Sequence, residues 1–575
     1  MKTIKILSFG IFLLLSISCT SMLDLKPQGV ISDSDLNTPE KIEQLINAAY
    51  SFCGQNHFNK QFGMPYEEGS VRGGEAYKGG SGTNDNGERN LWETFAFMQP
   101  TTTGDLDNLW WVHYVAVGRV HDALRRAQKL TDAEYPLKQQ RIAELRFLRA
   151  HIYQYMKLCF KFFPYIDENT AIDQYDKVSN DALSDQELWG KLIDDLRFAV
   201  ANLPNTQSEI GRPTKFAAKA YLAKTLLFAA YEQDVNHNVT TINKDKLTEV
   251  ASLCKDVIDN SGRSLFPDFA QNFLWEYENG QESVWAIQYS ANNDNSPVGR
   301  LNAWLIYPVN SEYGCCGFLQ PSTNMMNFFK TVNGVPDFDN FNTGTLLNNK
   351  SAFASTPMDP RLMHSACVPE MPWKYDPTFI MQNSWLRTPE VYGYSMSQKL
   401  LVLPSCPCFR KTNPFMGSSL NYDVIRLDEV MLWRAEALIQ LGGDMSDALT
   451  LINKIRERAA SSTGRLKFAD GTPTGKFDVQ IYKPGQNCPA WDKTFALKAL
   501  QGERHLEFST EGKWFFDLVR WGIAAETINK YFEVEKTRRT YLKDAKFQKN
   551  RDEFFPIPQT QISYVKGLYK QNAGW

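Results

Sequence analysis

The stretch 422-YDVIRLDEVMLWRAEALIQLGGDMSDALTLINKIRERA-459 carries the clearest structural pattern in the chain. Its apolar residues recur at intervals of three and four, which predicts one face of a helix: Val424, Leu427, Met431, Ala435 and Leu438. Gly442-Gly443 interrupts the pattern, and a second apolar stripe follows: Ala448, Leu451, Ile452 and Ile455. Two helices around a glycine break within about 35 residues have the size of a tetratricopeptide-type hairpin.

Helical periodicity also covers much of the N-terminal half of the chain. It predicts helices over 39–52, 107–130, 137–163, 184–203, 214–231 and 244–260. In a series of helical hairpins, each hairpin covers the apolar face of the next. We therefore expect a mainly α fold, built from tetratricopeptide-like hairpins with about eight scaffold helices.

Two long segments, 53–104 and 262–420, lack helical periodicity. The first contains turn residues throughout Gly73–Gly87, and a loop this long inside a compact protein is more often functional than idle. The second is rich in Gly, Pro, Asn and aromatic residues, with short β-type runs such as Ser283–Tyr289. Aromatic residues make up 13% of the chain, more than a core usually requires. These features predict a loop-rich, irregular ligand-binding region that contains short β-strands.

The first residues resemble a bacterial export signal. Lys2 and Lys5 precede an apolar run over 6–18, which is too short to cross a bilayer but suits a secretory signal. Cys19 follows small residues, in the position of a lipobox cysteine that becomes lipidated after cleavage. An ordinary signal peptide with an incidental cysteine is the alternative.

The sequence divides into consecutive parts of one compact structural unit. We expect a lipoprotein signal peptide over 1–18 and a lipid anchor and tether over 19–38. An N-terminal helical part follows over 39–261, with its ligand loop at 53–104. A loop-rich aromatic region occupies 262–420, and a C-terminal helical part with a tail occupies 421–575.

Charge and motifs exclude several classes of function. The formal charge of −3 argues against a nucleic-acid partner, whose phosphates would require a basic face. The sequence contains no Gly-x-Ser-x-Gly elbow, no His-Glu-x-x-His pair and no phosphate-binding loop. Paired carboxylates for glycoside hydrolysis stay an alternative, with Glu67, Glu68 and Glu75 as candidates.

The cysteines and short acidic clusters predict no cofactor and no metal. Cys315-Cys316 and Cys406-Pro-Cys408 lack a second Cys or His pair at zinc spacing, which leaves disulfides and buried thiols as alternatives. Their pairing cannot be read from the sequence. Asn84-Asp85-Asn86 and Asp337-Phe-Asp339 offer oxygens suited to Ca²⁺, but neither completes a twelve-residue calcium loop. A structural Ca²⁺ therefore stays an alternative.

The charged residues of the opening stretch and its continuation lie on predicted helices. This placement favours ion pairs that lock helix to helix over a charged active site. The residues concerned are Arg426, Glu429, Arg434, Glu436, Arg456, Glu503, Arg504, Glu507, Glu511, Asp517 and Arg520.

Several short motifs, taken together and in this order, resemble the SusD/RagB family of surface lipoproteins. They are Leu23-Asp-Leu-Lys-Pro27, Glu75-Ala-Tyr-Lys-Gly-Gly80 with Trp92, Glu144-Leu-Arg-Phe-Leu-Arg-Ala150, Gly211-Arg-Pro-Thr-Lys-Phe-Ala-Ala218, Glu429 with Ala435-Glu-Ala437, Glu503-Arg504, Glu511-Gly512 with Phe515-Phe-Asp-Leu-Val-Arg-Trp-Gly522, and Pro556-Ile-Pro-Gln559. The resemblance covers essentially the whole chain. Two features depart from the family: Gly74-Glu75-Ala76 stands where Asp-Asp-Ala is usual, and Thr20–Asp24 lacks the acidic cluster that often marks surface export.

The resemblance implies a non-enzymatic protein that binds glycans at the cell surface. Such a protein captures oligosaccharides and delivers them to a SusC-like TonB-dependent outer-membrane transporter. It would be anchored to the outer membrane through Cys19 and face the cell exterior. Oligopeptide capture, to which the RagB branch is tied, is one alternative. A surface glycosidase and a tetratricopeptide adaptor for a protein chain are two others.

The chemistry of sugars selects candidate ligand contacts. A sugar ring has apolar C–H faces and a belt of hydroxyl groups, so aromatic rings and hydrogen-bonding groups must stand side by side. From the irregular segments we predict stacking by Tyr77, Trp92, Trp304, Tyr307, Tyr313 and Trp373. We predict hydrogen bonding by Glu75, Lys78, Asn84 and Asp85.

Overall fold

The computed structural model describes residues 33–575 except 55, 58–59, 62–64, 98–103, 291–302, 412–415 and 444, so the predicted signal peptide and Cys19 lie outside it. Its α-helices are α1 (Pro39–Cys53), α2 (Gly87–Thr94), α3 (Gly104–Lys129), α4 (Lys138–Phe160), α5 (Asp185–Asn202), α6 (Lys215–Ala230), α7 (Lys244–Asn260), α8 (Thr323–Phe328), α9 (Lys350–Ser355), α10 (Arg361–Ser365), α11 (Pro389–Tyr392), α12 (Leu427–Leu441), α13 (Ser446–Ser461), α14 (Lys493–Phe508), α15 (Trp514–Trp521), α16 (Ala524–Glu535) and α17 (Gln559–Tyr564).

The strands are short and scattered. They are β1 (Asn56–His57), β2 (Lys60–Gln61), β3 (Ala76–Gly79), β4 (Tyr231–Gln233), β5 (Val239–Ile242), β6 (Ser283–Ile287), β7 (Phe318–Pro321), β8 (Thr331–Val332), β9 (Val335–Pro336), β10 (Ala366–Cys367), β11 (Pro372–Trp373), β12 (Asp376–Ile380), β13 (Met396–Ser397), β14 (Phe409–Lys411), β15 (Met416–Ser418) and β16 (Tyr422–Arg426). Within the described part of the chain, each strand belongs to a two-stranded sheet. The fold is mainly α with short strands, which confirms the predicted fold class.

The long helices form one continuous series. Helices α1, α3, α4, α5, α6 and α7 each contact the next, and α7 contacts α12, which packs on α13. This order is the one expected for stacked hairpins, because each pair covers the apolar face of its neighbour. None of the described helices has both the length and the apolar character that crossing a bilayer would require.

Side-chain caps determine where several of these helices begin. The Thr38 hydroxyl accepts the amide of Lys41 in front of α1, and Ser184 and Glu187 form a reciprocal capping box at α5. Thr214 caps α6 in the same way. The N-terminal helices differ from the predicted ranges by at most three residues at either end.

The first five residues of the opening stretch form a strand, contrary to the helical prediction. Strand β16 pairs with β6 in antiparallel register, with Tyr422 opposite Ile287. Val424 therefore lies in a strand, and α12 begins only at Leu427. The β-branched side chains of Val424 and Ile425 suit a strand wherever a partner edge is available, and this pairing overrides the local helical period.

The first irregular segment contains more regular structure than its turn-rich sequence predicts. It includes a π-helical turn at Tyr66–Val71, the strand β3 and the helix α2. Helix α2 packs the fully buried Trp92 against the core and places Arg89 2.8 Å from the carboxylate of Asp105. The helix is too short to produce a clear periodic signal beside the glycines that precede it.

Buried ion pairs join the C-terminal helices, as predicted. Arg456 Nη1 on α13 lies 3.0 Å from Glu503 Oε2 on α14. Arg504 Nη2 on α14 lies 2.7 Å from Asp517 Oδ2 on α15. All four side chains are at most 3% exposed, so the pairs hold the helices together inside the core.

Candidate functional site

The two irregular segments meet in the antiparallel strand pair β3–β7. Gly79 lies opposite Phe318, and just beyond the pair the amide of Gly80 donates to the carbonyl of Gly317 over 2.9 Å. A Cβ atom on Gly79 would lie 2.4 Å from the Gly317 carbonyl oxygen, so this close approach requires glycine. The predicted ligand loop is thereby fixed to the predicted aromatic region.

Lys78 shapes the loop from its inner side. Its Nζ donates to the carbonyl oxygens of Gly79 at 2.9 Å, Gly82 at 3.1 Å and Asp85 at 2.5 Å. The side chain is buried, and this burial lowers the pKa of Lys78 to about 8 against the opposing effect of Glu93. Lys78 therefore supports the loop and offers no free ammonium group at the surface.

The outer side of the loop presents a charged pair that is partly open to solvent. The Asp85 carboxylate accepts the Ser81 amide at 2.8 Å and Arg387 Nη1 at 2.8 Å. The side chains of Asp85 and Arg387 are 32% and 29% exposed, and Asn84 is exposed beside them. Thr388 donates its hydroxyl to the carbonyl of Gly80 at 2.7 Å. This surface, hereafter the Asp85 edge, consists of Ser81, Asn84, Asp85, Arg387 and Thr388.

Glu75, predicted as a hydrogen-bonding ligand contact, lies inside the protein. Its Oε2 accepts the Ser70 hydroxyl at 2.7 Å and the Thr510 amide at 3.1 Å. Burial raises the pKa of Glu75 to about 8, although the bond from Ser70 opposes the rise. At 1% exposure, this carboxyl joins β3 to the loop after α14 and has no face toward a ligand.

Tyr77 and Trp92 also point into the core. The Tyr77 hydroxyl donates to Glu535 Oε2 at 2.5 Å, which ties β3 to α16. The ring centroids of Trp92 and Phe555 are 4.7 Å apart. The guanidinium of Arg89, also on α2, lies 4.4 Å from the centroid of the Trp92 ring. Neither ring is more than 1% exposed, and stacking on a sugar requires an open ring face.

The predicted rings of the second segment form a buried aromatic cluster. Tyr307 and Tyr313 have ring centroids 5.1 Å apart, and Trp373 Nε1 donates to the Tyr313 hydroxyl at 2.9 Å. All three residues are fully buried. The side chain of Trp304 lies outside the described part of the structure. Of the ten predicted contacts, the structure therefore places Asn84 and Asp85 together at the surface, while the burial of the other described residues counts against direct ligand contact in this conformation.

Arg387, Thr388 and Ser81 complete the Asp85 edge, and none of them was predicted from the sequence. Arg387 lies 302 positions from Asp85, so no local pattern connects the two. Tyr394, in the same part of the second segment, is 52% exposed and offers the kind of open ring that the prediction sought. An exposed aromatic cannot be told from a buried one where periodicity is absent.

The carboxylates considered for hydrolysis are also buried. Glu67, Glu68 and Glu75 are each at most 3% exposed, and Glu67 forms an ion pair with Arg89. A glycosidase needs both of its carboxyl groups beside the scissile bond of the substrate. These three acids therefore offer no support for a glycosidase.

One group of acids in the described residues is compact enough to suggest a metal. Carboxylate oxygens of Glu282, Asp428 and Glu507 lie within 4.8 Å of one another. Arg458 already forms ion pairs with all three, and its guanidinium supplies the positive charge that such a group requires. Asp85 is likewise paired with a guanidinium, so these residues give no support to the calcium alternative, which stays a prediction.

A second surface consists of two adjoining recesses with cavity volumes of about 320 and 380 Å³. Both are lined by the turn 209–212 and by Trp285, and Ile210 is 75% exposed there. Asn279 and Gln288 exchange two side-chain hydrogen bonds of 2.8 and 2.9 Å at the recesses. This surface is a concave alternative to the Asp85 edge.

Comparison with known families gives two matches along the chain. A family model described as "SusD family" matches residues 281–575, which is just over half of the chain. A second model, described as "Starch-binding associating with outer membrane", matches residues 21–227. The two matches cover its C-terminal and N-terminal parts respectively.

Individual relatives and solved structures agree with these matches. "SusD-like protein P2" of Formosa agariphila is 23% identical and covers 100% of both chains, and a "SusD-like protein" of Bacteroides ovatus is 24% identical over 90% of this chain and 82% of its own. A SusD homolog from Bacteroides thetaiotaomicron superposes with a TM-score of 0.69 at 18% identity, covering 95% of this chain and 99% of its own. Surface glycan-binding protein A of the same species, solved in complex with laminarihexaose, superposes with a TM-score of 0.65 at 20% identity. The match covers 93% of this chain and 99% of that protein.

Proposed function

This chain belongs to the SusD family, and from that premise we propose that it is a cell-surface lipoprotein that binds glycans and has no catalytic role. It captures oligosaccharides and delivers them to a SusC-like TonB-dependent transporter in the outer membrane. Related proteins support the ligand class: one neighbour is described as laminarin-binding, and another was solved with laminarihexaose.

The Asp85 edge is the observation that carries the proposal. It offers a carboxylate, a guanidinium, an amide and two hydroxyls, the groups that hydrogen-bond to sugar hydroxyls. The internal bonds of Lys78 hold the loop in place before any ligand arrives. A preformed site loses less conformational entropy on binding, which favours the capture of a flexible oligosaccharide.

The lipid anchor and the outward orientation belong to the same proposal. Cys19 carries the anchor, supported by the apolar run that precedes it and by the family description that mentions the outer membrane. Several acyl chains on one cysteine give stable anchoring, because each buried methylene adds about 0.8 kcal/mol. Replacing Cys19 by alanine should release the protein from the membrane fraction, and persistence there would contradict the anchor.

Equilibrium binding to a panel of oligosaccharides and oligopeptides tests the ligand class. Laminarihexaose, maltohexaose and mixed tripeptides would be titrated against the full chain, and reducing ends would be measured over a day. Binding of a glycan without release of reducing ends supports the proposal. Binding of peptides alone would favour oligopeptide capture, and released reducing ends would establish a glycosidase.

Paired variants locate the ligand on the surface. Asn84→Ala with Asp85→Asn alters the Asp85 edge, whereas Asn279→Ala with Gln288→Ala alters the two recesses. Asn236→Ala, an exposed amide in the turn between β4 and β5, serves as the control. Loss of affinity in the first pair alone places the glycan at the Asp85 edge. Loss in the second pair alone moves the site to the recesses and leaves the ligand class unchanged.

A further inference from the structure

Two neighbouring cysteines lie beside the Asp85 edge. Cys315 and Cys316 are joined by a disulfide, with Cys316 buried and Cys315 half-buried. The amide of Gly317 donates to the carbonyl of Tyr307 at 2.8 Å, so the pair lies within a closed loop. The glycan-binding proposal gives this disulfide no role.

Stabilising the whole fold is a poor explanation for a disulfide between adjacent residues. A disulfide stabilises chiefly by restricting the unfolded chain, and the effect grows with the length of the loop that it closes. Adjacent residues close the shortest loop that a chain allows. The contribution of this bond must therefore come from the local geometry that it imposes.

The backbone at this disulfide contacts both sides of the Asp85 edge. The Cys316 carbonyl accepts Arg387 Nη1 at 3.3 Å, and the same nitrogen donates to Asp85 Oδ2 at 2.8 Å. The next carbonyl, that of Gly317, accepts the Gly80 amide at 2.9 Å. Two consecutive carbonyl groups thus hold the guanidinium from one direction and the 79–85 loop from another.

We propose that the Cys315–Cys316 disulfide positions the Asp85 edge for its ligand. While the bond is closed, the carbonyl groups of Cys316 and Gly317 keep a fixed relative orientation, and the Asp85 edge is preformed. When the bond is open, the turn gains freedom that a ligand must remove on binding, and affinity falls. The affinity part of this proposal rests on the proposed glycan function, whereas the positioning part concerns the protein alone.

The chain contains its own matched control. Cys406 and Cys408 form a second disulfide across a similarly short loop. Their backbone bonds run elsewhere: the Cys406 amide donates to Leu403 at 3.0 Å, and the Cys408 carbonyl accepts the Ser419 amide at 2.9 Å. Removing this disulfide changes the cysteine chemistry equally without touching the carbonyl groups that hold the Asp85 edge.

Reduction followed by alkylation acts mainly on the two disulfides, because the other cysteines in the described part of the chain are buried. The free thiols are all buried: Cys53, Cys159, Cys254, Cys367 and Cys488. Burial raises the pKa of Cys53 to about 12, which keeps that thiol in its unreactive form. With dithiothreitol, each protein disulfide accepts two electrons and two protons to give two thiols, and the dithiol closes to its cyclic disulfide.

Hydrogen exchange provides a test that needs no ligand. The exchange rate of the Gly80 amide would be measured in the unmodified protein, after dithiothreitol treatment, in Cys315→Ser/Cys316→Ser and in Cys406→Ser/Cys408→Ser. The proposal requires faster exchange at Gly80 in the reduced protein and in the first variant, with no change in the second. Thermal unfolding should show that both double variants remain folded.

Binding of laminarihexaose tests whether the disulfide affects the affinity for a glycan. If the unmodified protein binds this glycan, Cys315→Ser/Cys316→Ser should bind it roughly 3- to 10-fold more weakly, as expected when about one more side chain must be ordered. The Cys406→Ser/Cys408→Ser affinity should be unchanged. Unchanged Gly80 exchange in the first variant would overturn the positioning role even if no glycan binds. Alkylation of Cys315 and Cys316 without any reductant would overturn it as well.

Discussion

Arg426 and Glu511, 85 positions apart, form an ion pair inside the protein with Nη1 and Oε2 2.6 Å apart. Both side chains are 1% exposed, and Glu511 also accepts Lys399 Nζ at 2.8 Å. The pair joins the end of β16 to the loop after α14. These charged residues therefore act as a frame inside the protein, away from solvent.

Removing one member of this pair should destabilise the whole protein. Arg426→Met leaves the Glu511 charge buried with less compensation, and we expect a loss of about 3–5 kcal/mol in the free energy of unfolding. Lys530→Met breaks an exposed pair with Glu526 and should cost less than about 1 kcal/mol. Chemical denaturation of both variants measures the difference. Similar losses in unfolding free energy for the two variants would show that the buried Arg426 pair contributes no more to stability than an exposed pair.

Acid should weaken the same contact. Burial alone would raise the pKa of Glu511, but Arg426 and Lys399 outweigh it and lower the pKa to about 2. A carboxyl with a lowered folded-state pKa contributes stability above its unfolded value, near 4.5, and loses it as the pH falls toward 2. Glu511→Gln should flatten this part of the stability curve. Parallel curves for variant and unmodified protein between pH 4.5 and 2.5 would contradict the assignment.

Glu75 should show the opposite dependence on pH. Its pKa is raised to about 8, so the folded state favours the protonated form, and its contribution is lost as the pH rises from about 4.5 through 8. Glu75→Gln keeps an acceptor for Ser70 and Thr510 and removes the ionisation. The melting temperature of the variant minus that of the unmodified protein should increase as the pH rises from about 4.5 to 8. Above about pH 8 this difference should stay constant. Glu390→Gln, at an exposed position, is the control, and an equal gain there would exclude the explanation.

A Trp373 variant tests whether this ring stacks on a ligand, as the sequence predicted, or only packs in the core, as its burial indicates. Because the ring is fully buried, Trp373→Ala should cost about 3–5 kcal/mol in unfolding free energy, while the folded fraction keeps its glycan affinity. Tyr394→Ala removes an exposed ring and should cost within about 0.5 kcal/mol. Calorimetry and binding titrations on the same samples distinguish the two effects. A stable Trp373→Ala protein with weakened binding would restore the stacking role.

Lys78→Met tests the inner support of the ligand loop. The change removes the donor to three carbonyl oxygens and keeps a side chain of similar length. We expect faster amide exchange at Ser81 and weaker binding of laminarihexaose, because the loop then has to be ordered by the ligand. Lys543→Met, at a lysine whose side chain is 75% exposed, should change neither.

The helical frame could be predicted because its signals are local. Helix α7 matches its predicted range of 244–260 in full, since a periodic apolar face and the Asn243 cap lie within one short window. The ion pairs between α13, α14 and α15 followed from charges placed on helices whose stacking was already expected, whereas Arg426 lies in β16 and Glu511 in a loop, contrary to the helical prediction. Val424 shows the limit of this reasoning, because its conformation depends on a distant partner strand. In that pairing Tyr422 lies opposite Ile287, 135 positions away in the sequence.

The candidate site could be predicted only in part. Asn84 and Asp85 were found because turn residues in a long loop favour exposure. Arg387 was not found, since its relation to Asp85 exists only in three dimensions. Tyr313 and Tyr394 lie in the same irregular region, and composition alone gives no sign that one is buried and the other exposed.

The bond between Tyr77 and Glu535 also determines when the site can form. The two residues are 458 positions apart, and at about 5–20 residues per second the ribosome needs roughly 20 to 90 s to pass from one to the other. Strand β3 lacks β7 for about the first half of that interval and lacks α16 until its end. The support of the Asp85 edge is therefore complete only when nearly the whole chain has been made. A chain that ends before Glu535 would carry the loop without the contact that ties β3 to α16.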